Sequence, residues 1–167
     1  MRLKHKNLEI RPATIKDAEY LYSYWSQDSW NTTTLEELRA MLAGGKTQYM
    51  VELNGQLIGD VHYGEVENNG AEVGLYIRDE NQMGKGYGTL ILYIFIDILF
   101  KNFGYDNVVF MTGENNKPMR YISESKFNLT PIIHKDLEQP DGTLETCIEY
   151  VLNKQDWQNK VEYEFIV

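Results

Sequence analysis

The chain has 167 residues, 43% of them hydrophobic, which suits one globular domain spanning residues 1–167. Its 25 acidic and 16 basic residues give a net charge of −9, which excludes a sequence-independent nucleic-acid binder and suits either solubility or a cationic partner such as an amine. A single cysteine, no long apolar run and no signal-peptide pattern predict a cytoplasmic protein with no disulfide, metal cluster or membrane partner.

The first third of the chain predicts one strand and two amphipathic helices. Residues 8–11 alternate between apolar and polar side chains, as in a strand, and Pro12 ends the pattern. Thr14 is a suitable N-cap for a first helix. The apolar stripe of that helix comprises Ile15, Ala18, Leu21, Tyr22 and Trp25. Residues 31–34 then cap a second helix over 35–42, which Gly44 and Gly45 end.

A three-stranded meander is predicted next. Strands over 48–53 and 56–63 are joined by Asn54 and Gly55, a pair that favours a type I′ turn. A second turn at 68–70 leads into a third strand over 71–78. This third strand runs directly into a glycine-rich loop.

The glycine-rich loop organises the rest of the prediction. Gly84, Gly86 and Gly88 lie between the strand and a long apolar helix, so their N–H groups can converge where that helix presents unpaired donors. A phosphate or pyrophosphate is the ligand expected at this loop. The chain lacks the P-loop pattern, and the spacing differs from the dinucleotide-binding Gly-x-Gly-x-x-Gly, so the loop serves another phosphate-bearing cofactor.

The remaining elements alternate between helices and strands. In order they are a buried helix over 88–103 stopped by Gly104, a buried strand over 108–111, a helix over 115–125 with Pro118 in its first turn, strands over 127–134 and 143–152, and a strand-like tail over 161–167. The tail has no assigned partner. It can cap the sheet, pair with another subunit, or be ordered only by contacts.

Two segments together resemble the GNAT N-acetyltransferases. Residues 83–88 resemble the acetyl-CoA loop of that family, usually Arg/Gln-x-x-Gly-x-Gly/Ala, and residues 114–127 resemble its second signature, an Asn that opens a short helix. The resemblance implies an α/β (α+β) single domain with a mixed, mostly antiparallel sheet of six to seven strands and about four helices, with the tail at 160–167 as an extra strand. It also implies that the first two helices wall the acceptor groove.

The resemblance implies acetyl-CoA as cofactor and assigns residues to it. The phosphates would be held by the loop and the start of the following helix, and the pantetheine arm by the strand before the loop. Asn115 would lie near that arm, cap the next helix, or do both. These residues are Leu75, Tyr76, Ile77, Met83, Gly84, Lys85, Gly86, Tyr87, Gly88, Thr89 and Asn115. The chain departs from the family at Met83, where Arg or Gln is usual, which removes a side-chain cap but no main-chain donor.

Proton transfer falls to two further residues. Glu72 is the first candidate for the general base, because relatives carry a carboxylate near the start of this strand. The alternative interpretation of Glu72 is an ordinary exposed strand glutamate. Glu65 and His62 are the other candidates for the base. Tyr121 is the candidate general acid. It lies one residue, about 100° of helix rotation, from the family's tyrosine slot, which holds Ile122, so solvent can also protonate the thiolate.

The implied activity is direct transfer of acetyl from acetyl-CoA to a primary amine in a ternary complex. The chain most resembles the branch of the ribosomal-protein alanine (RimJ/RimL-type) and polyamine acetyltransferases, so the acceptor is a protein N-terminus, a polyamine or another small cationic amine. Aminoglycoside acetyltransferases are an alternative, although this chain has Gly74 and Leu75 where they carry an Asp-Gln pair. A non-catalytic acyl-CoA sensor is the other alternative, and homodimerisation stays open.

Overall fold

The structure is a computed structural model that describes residues 1–28 and 31–166. The described residues form one nine-stranded sheet in the order β7-β8-β6-β5-β4-β3-β2-β1-β9, together with four α-helices. The strands are β1 (Arg2–His5), β2 (Leu8–Pro12), β3 (Gln48–Leu53), β4 (Gln56–Val66), β5 (Gly70–Ile77), β6 (Asn107–Gly113), β7 (Ile132–Glu138), β8 (Leu144–Asn153) and β9 (Glu164–Ile166); the helices are α1 (Ala18–Trp25), α2 (Leu35–Gly44), α3 (Tyr87–Lys101) and α4 (Lys117–Tyr121).

The fold class predicted from the sequence is confirmed. Every neighbouring pair of strands is antiparallel except β5 and β6, which are parallel, so the sheet is mixed and mostly antiparallel. The first hairpin turn has Asn54 at φ 53° and Gly55 at φ 77°, the two left-handed residues of a type I′ turn. The strand number is larger than the six to seven expected.

The two ends of the chain account for the additional strands. β1 pairs with β2 on one edge and with β9 on the other, so β9 covers the end of the sheet. Of the three possibilities for the tail, the structure therefore shows the first; Val167, at the end of the predicted segment, lies outside the described residues.

Helices cover both faces of the sheet. α3 is buried along nearly its whole length, and side chains such as Ile91, Phe95 and Leu99 pack on one face among residues of β1 to β6 and β8. α1 and α2 pack on the other face, where Leu21 and Leu38 contact Met50 of β3. The longest described helix, α3, has 15 residues, and no helix in the described ranges could cross a bilayer.

Three predicted elements differ from the structure. Ile15 lies in a 3₁₀ turn before α1 and is 53% exposed, so it does not belong to the buried stripe. The second-signature helix starts at Lys117, not at residue 115, and continues as a π-helical turn over Ile122–Lys126. The strand expected from residue 127 begins only at Ile132, because the Leu129 amide donates to the Ser123 carbonyl (3.0 Å) and holds this segment against the preceding turn.

Candidate active site

The centre of the sheet contains a gap between its two parallel strands. β5 and β6 pair only from Gly70↔Asn107 to Glu72↔Val109, although β5 continues to Ile77 and β6 to Gly113. The other edge of β5 stays paired with β4 up to Gly59↔Ile77, so β5 keeps its strand form after it leaves β6. The gap opens into a cleft of about 640 Å³, which reaches from β5 to the glycine loop and α4.

The glycine loop presents unpaired main-chain donors to this cleft. Gly84 and Gly86 have φ values of 73° and 87°, a left-handed conformation that glycine adopts without strain. The amides of residues 84–89 donate to no carbonyl or side chain among the described residues. They lie at the start of α3, where the helix dipole favours an anion.

Most of the residues predicted to hold the cofactor border this cleft. They are Leu75, Tyr76, Ile77, Met83, Gly84, Gly86, Tyr87, Gly88 and Thr89. Two residues of the loop, Met83 and Lys85, differ from the prediction. The Met83 amide already donates to the Glu80 carbonyl (3.3 Å), so Met83 offers only its side chain, and Lys85 lies outside the cleft lining with its Nζ 3.4 Å from Gln82 Oε1.

The asparagine at the entrance to α4 is one position later than expected. Asn116 is the N-cap of α4, since its Oδ1 accepts from the Met119 amide (3.2 Å), and Asn116 borders the cleft. The helix-capping role suggested for Asn115 is therefore wrong, and Asn115 is not among the residues that line the cleft. Two adjacent asparagines leave this one-residue choice open in the sequence.

Tyr121 and Ile122 both line the cleft, and Tyr121 is 57% exposed. The chain leaves α-helical geometry between them, because the Phe127 amide donates to the Ile122 carbonyl in the longer π-helical pattern. A count of 100° per residue from Phe127 backwards therefore misjudges which side chain faces the cleft. Tyr121 therefore borders the cleft although its sequence position is offset by one residue.

A second cavity, of about 440 Å³, lies between the α1–α2 layer and the outer parts of β4 and β5. We call it the helix-side groove. Its lining comprises Trp25, Leu38, Met41, Leu42, Gly45, Thr47, Gln48, His62, Tyr63, Gly64, Glu65, Val66 and Glu72. The groove and the cleft meet the same strand, since Glu72 lines the groove and Val73 and Gly74 line the cleft.

Glu72 is the carboxylate at this junction. It is exposed and has no hydrogen-bond or ion-pair partner among the described residues. Partial desolvation and, to a lesser degree, the nearby Glu149 carboxylate raise the pKa of Glu72, which makes it a stronger base. Glu65, the neighbouring candidate, accepts from the Tyr105 hydroxyl (3.1 Å) and points to the opposite face of the sheet.

His62 also lines the groove and sits directly over Gly74. A methyl group at Gly74 would collide with the His62 ring, so glycine is needed there. Burial lowers the pKa of His62, which leaves its ring neutral near neutral pH. His62 Nδ1 has no partner among the described residues, so the ring is held by packing against Tyr76.

A buried ion pair beside the groove was not anticipated from the sequence. Asp60 is fully buried and accepts from Arg78 Nε (2.8 Å), and the Arg78 guanidinium packs 4.2 Å from the Tyr76 ring centre and 4.9 Å from that of Tyr24. These contacts brace the end of β5 beyond its pairing with β6. A charged residue at an interior strand position, as at Asp60, was the available signal.

The described residues contain no group of three or more His, Cys, Asp and Glu side chains that could hold a metal ion.

Comparison with known proteins agrees with this geometry. The sequence model of the acetyltransferase (GNAT) domain matches residues 7–125. A GNAT-family acetyltransferase from Bacillus anthracis superposes with a TM-score of 0.77 at 18% identity, covering 93% of this chain and 99% of the other. No curated protein sequence matches the chain.

Two further solved structures have named activities. The ribosomal L7/L12 alpha-N-protein acetyltransferase RimL, in complex with coenzyme A, superposes with a TM-score of 0.74 at 17% identity, covering 89% of this chain and 95% of its own. A spermidine N-acetyltransferase SpeG chimera, from Vibrio cholerae and hSSAT, superposes with a TM-score of 0.75 at 14% identity, covering 90% and 97%. At these identities the likeness concerns the fold.

Proposed function

The chain belongs to the acetyltransferase (GNAT) family, and on this premise we propose that it binds acetyl-CoA in the cleft and transfers the acetyl group to a primary amine that enters through the helix-side groove. The observation that carries the proposal is the set of unpaired amides at 84–89 beside a strand that has separated from its neighbour. Free main-chain donors at a helix start suit a diphosphate. The open edge of β5 suits an extended arm that hydrogen-bonds like a strand.

Two segments of this chain would bind different parts of acetyl-CoA. The amides from Gly84 to Thr89 would hold the diphosphate, and the free edge at 75–77 would hold the pantetheine arm. Acetyl-CoA supplies an acetyl group already activated as a thioester. One amide of the same edge would donate a hydrogen bond to the acyl oxygen and stabilise the negative charge that develops on it during attack.

Glu72 would act as the general base and Tyr121 as the general acid. Glu72 accepts a proton from the incoming ammonium, directly or through one water, so that the neutral amine can attack; its raised pKa favours that transfer. Tyr121 lies on the other side of the cleft, and its hydroxyl would donate a proton to the departing sulfur, with solvent as the alternative donor. Attack occurs directly in the ternary complex, without an acyl-enzyme intermediate.

The acceptor class is a primary amine. Solved proteins of the same fold include enzymes named for a protein N-terminus and for spermidine, and both acceptors are cationic amines like those that the acidic surface of this chain favours. The unpartnered Glu72 at the junction of groove and cleft favours an enzyme over an acyl-CoA sensor. A sensor needs the cleft but has no use for a free carboxylate beside it.

An acceptor panel tests the proposal. Release of the coenzyme A thiol is followed with acetyl-CoA and spermidine, kanamycin or an N-terminal peptide, and calorimetry measures coenzyme A binding separately. We expect at least one amine to raise thiol release about 100-fold or more over the amine-free rate. Tight binding with no amine-dependent release would favour the sensor, and failure of coenzyme A to bind would remove both.

A further inference from the structure

The wall of the helix-side groove is apolar on its helical side. Trp25 of α1 and Leu38, Met41 and Leu42 of α2 form this wall. Leu38 is fully buried within this wall, whereas Met41 is 55% exposed and carries a flexible thioether. A ligand body that covers Met41 would remove this apolar surface from water.

The opposite wall offers one carboxylate without a hydrogen-bond partner, and its described residues include no competing cation. Among the described residues that line the groove, none is Lys or Arg. Glu72 pairs with Gly64 and Glu65 with Ala71, so the two carboxylates point to opposite faces of the sheet. Glu65 is bonded to the Tyr105 hydroxyl, which leaves Glu72 as the carboxylate that faces an ammonium in the groove.

From this arrangement we infer that the acceptor carries a single ammonium on an uncharged, apolar body. The inference rests on the proposed function, because it assumes that the groove receives the acceptor. The ammonium pairs with Glu72 while the body lies on the accessible part of the wall, Trp25 and Met41.

Two acceptor types fit this groove less well. A polyamine would place its further ammonium groups against the apolar wall, where no described side chain compensates their desolvation. An acceptor with its own carboxylate would bring that charge next to Glu72 in a groove whose described lining holds no cation. A free monoamine and an uncharged N-terminal residue of a peptide share the favoured chemistry.

A comparison of acceptors tests the inference on the full chain. With acetyl-CoA saturating, we expect kcat/KM for 2-phenylethylamine to exceed that for ethylamine and for spermidine by about tenfold or more. Phenylalaninamide should exceed phenylalanine by at least about tenfold, since only phenylalanine adds a carboxylate. The peptide Phe-Gly-Gly-amide distinguishes a peptide N-terminus from a free monoamine as the acceptor. A kcat/KM higher than that for 2-phenylethylamine assigns the groove to peptide N-termini, and a lower kcat/KM assigns it to free amines.

The outcomes separate this inference from the proposed function. If spermidine matches or exceeds 2-phenylethylamine, the inference is overturned while the amine-dependent thiol release still supports the function. If no amine releases thiol, the function itself fails.

A pair of variants locates the preference in the groove. Met41→Gln should lower the ratio of kcat/KM for 2-phenylethylamine to that for ethylamine by about fivefold, because it makes the exposed part of the wall polar. Ile15→Gln is the matched control, since Ile15 is 53% exposed, lies just before α1 and does not line the groove; it should leave the ratio unchanged. An unchanged ratio in Met41→Gln would overturn the inference.

Discussion

Glu72 combines solvent exposure with a raised pKa because of where β5 places it. Its side chain lines the helix-side groove, and the Glu149 carboxylate of β8 lies near it across β6. No described Lys or Arg forms an ion pair with either carboxylate, and the Nε2 atom of His134 lies 3.6 Å from Glu149 Oε1. A base that keeps its proton more readily, yet remains reachable from the groove, suits deprotonation of an ammonium.

We expect Glu72→Gln to lower kcat by about 100-fold or more, because the amide cannot accept the proton of the ammonium. Coenzyme A affinity should change by less than about twofold, since the phosphate donors belong to the main chain of another segment. Steady-state kinetics and calorimetry measure the two quantities. Glu67→Gln is the control, an exposed glutamate at the end of the same hairpin that lines neither cavity.

The pH dependence gives an independent check on the same residue. Glu72 is active when deprotonated, and its pKa is raised, so kcat/KM should fall as the pH drops through that raised pKa. The Gln variant should lose this acid limb. If the limb persists in Glu72→Gln and disappears instead in Glu65→Gln, the base is Glu65.

At the scale of secondary-structure elements, the glycine loop and the start of α3 together supply the amides of the proposed phosphate site. The left-handed conformations of Gly84 and Gly86 turn the chain so that successive amides face the cleft before α3 begins. A methyl group added at either position would meet no heavy atom within 4 Å, so lack of space does not explain these glycines. The positive φ values of Gly84 and Gly86 explain why glycine occupies both positions.

Replacement of Gly86 by Ala should weaken coenzyme A binding by about tenfold, because a left-handed alanine costs about 1 kcal/mol and relaxation of the loop turns its amides away. The matched control is Gly55→Ala, which also has a positive φ (77°) and free space but lies in the β3–β4 turn. Both variants should lose similar thermal stability. Only Gly86→Ala should lose affinity in calorimetry, and equal affinities would show that the loop does not hold the cofactor.

The parts of the fold that sequence reasoning predicted are those with local causes. Asn54-Gly55 determines its own turn, Thr34 and Glu37 form a reciprocal capping box at α2, and the glycine loop follows directly from its residue types. The errors concern main-chain hydrogen bonds that no residue pattern in the segment indicates. The π-helical turn after Tyr121 and the late start of β7 both arise because residues 127–129 bond back to 122 and 123.

The site was predicted less completely than the fold for the same reason. A cofactor-binding role of the strand before the loop was expected from the resemblance, but the Asp60–Arg78 pair that braces the end of β5 depends on strand register. The groove likewise combines α2 with the β4–β5 hairpin, and no local pattern in either segment indicates the other.

For the molecule as a whole, the two termini complete the sheet. β1 and β9 are separated by nearly the full chain, and β9, which has three residues, depends on β1 as its strand neighbour. One link between this edge and the core is Asp97 of α3. Its buried carboxylate accepts from Trp157 Nε1 (2.8 Å) and Tyr163 OH (2.8 Å), both in the segment that leads into β9.

Asp97 should therefore determine whether the C-terminal segment stays attached. Asp97→Ala removes the acceptor for Trp157 and Tyr163 and also for Asn159, so we expect a loss of about 3 kcal/mol in the free energy of unfolding. Hydrogen exchange should quicken first in residues 157–166 and in β1, because the remaining strands keep their partners. Lys101→Met is the control: Lys101 also bonds Asp97 but is 61% exposed, so its loss should change stability by less than about 1 kcal/mol. Uniformly faster exchange across all strands in Asp97→Ala would mean that Asp97 supports the core as a whole and not the closure of this edge.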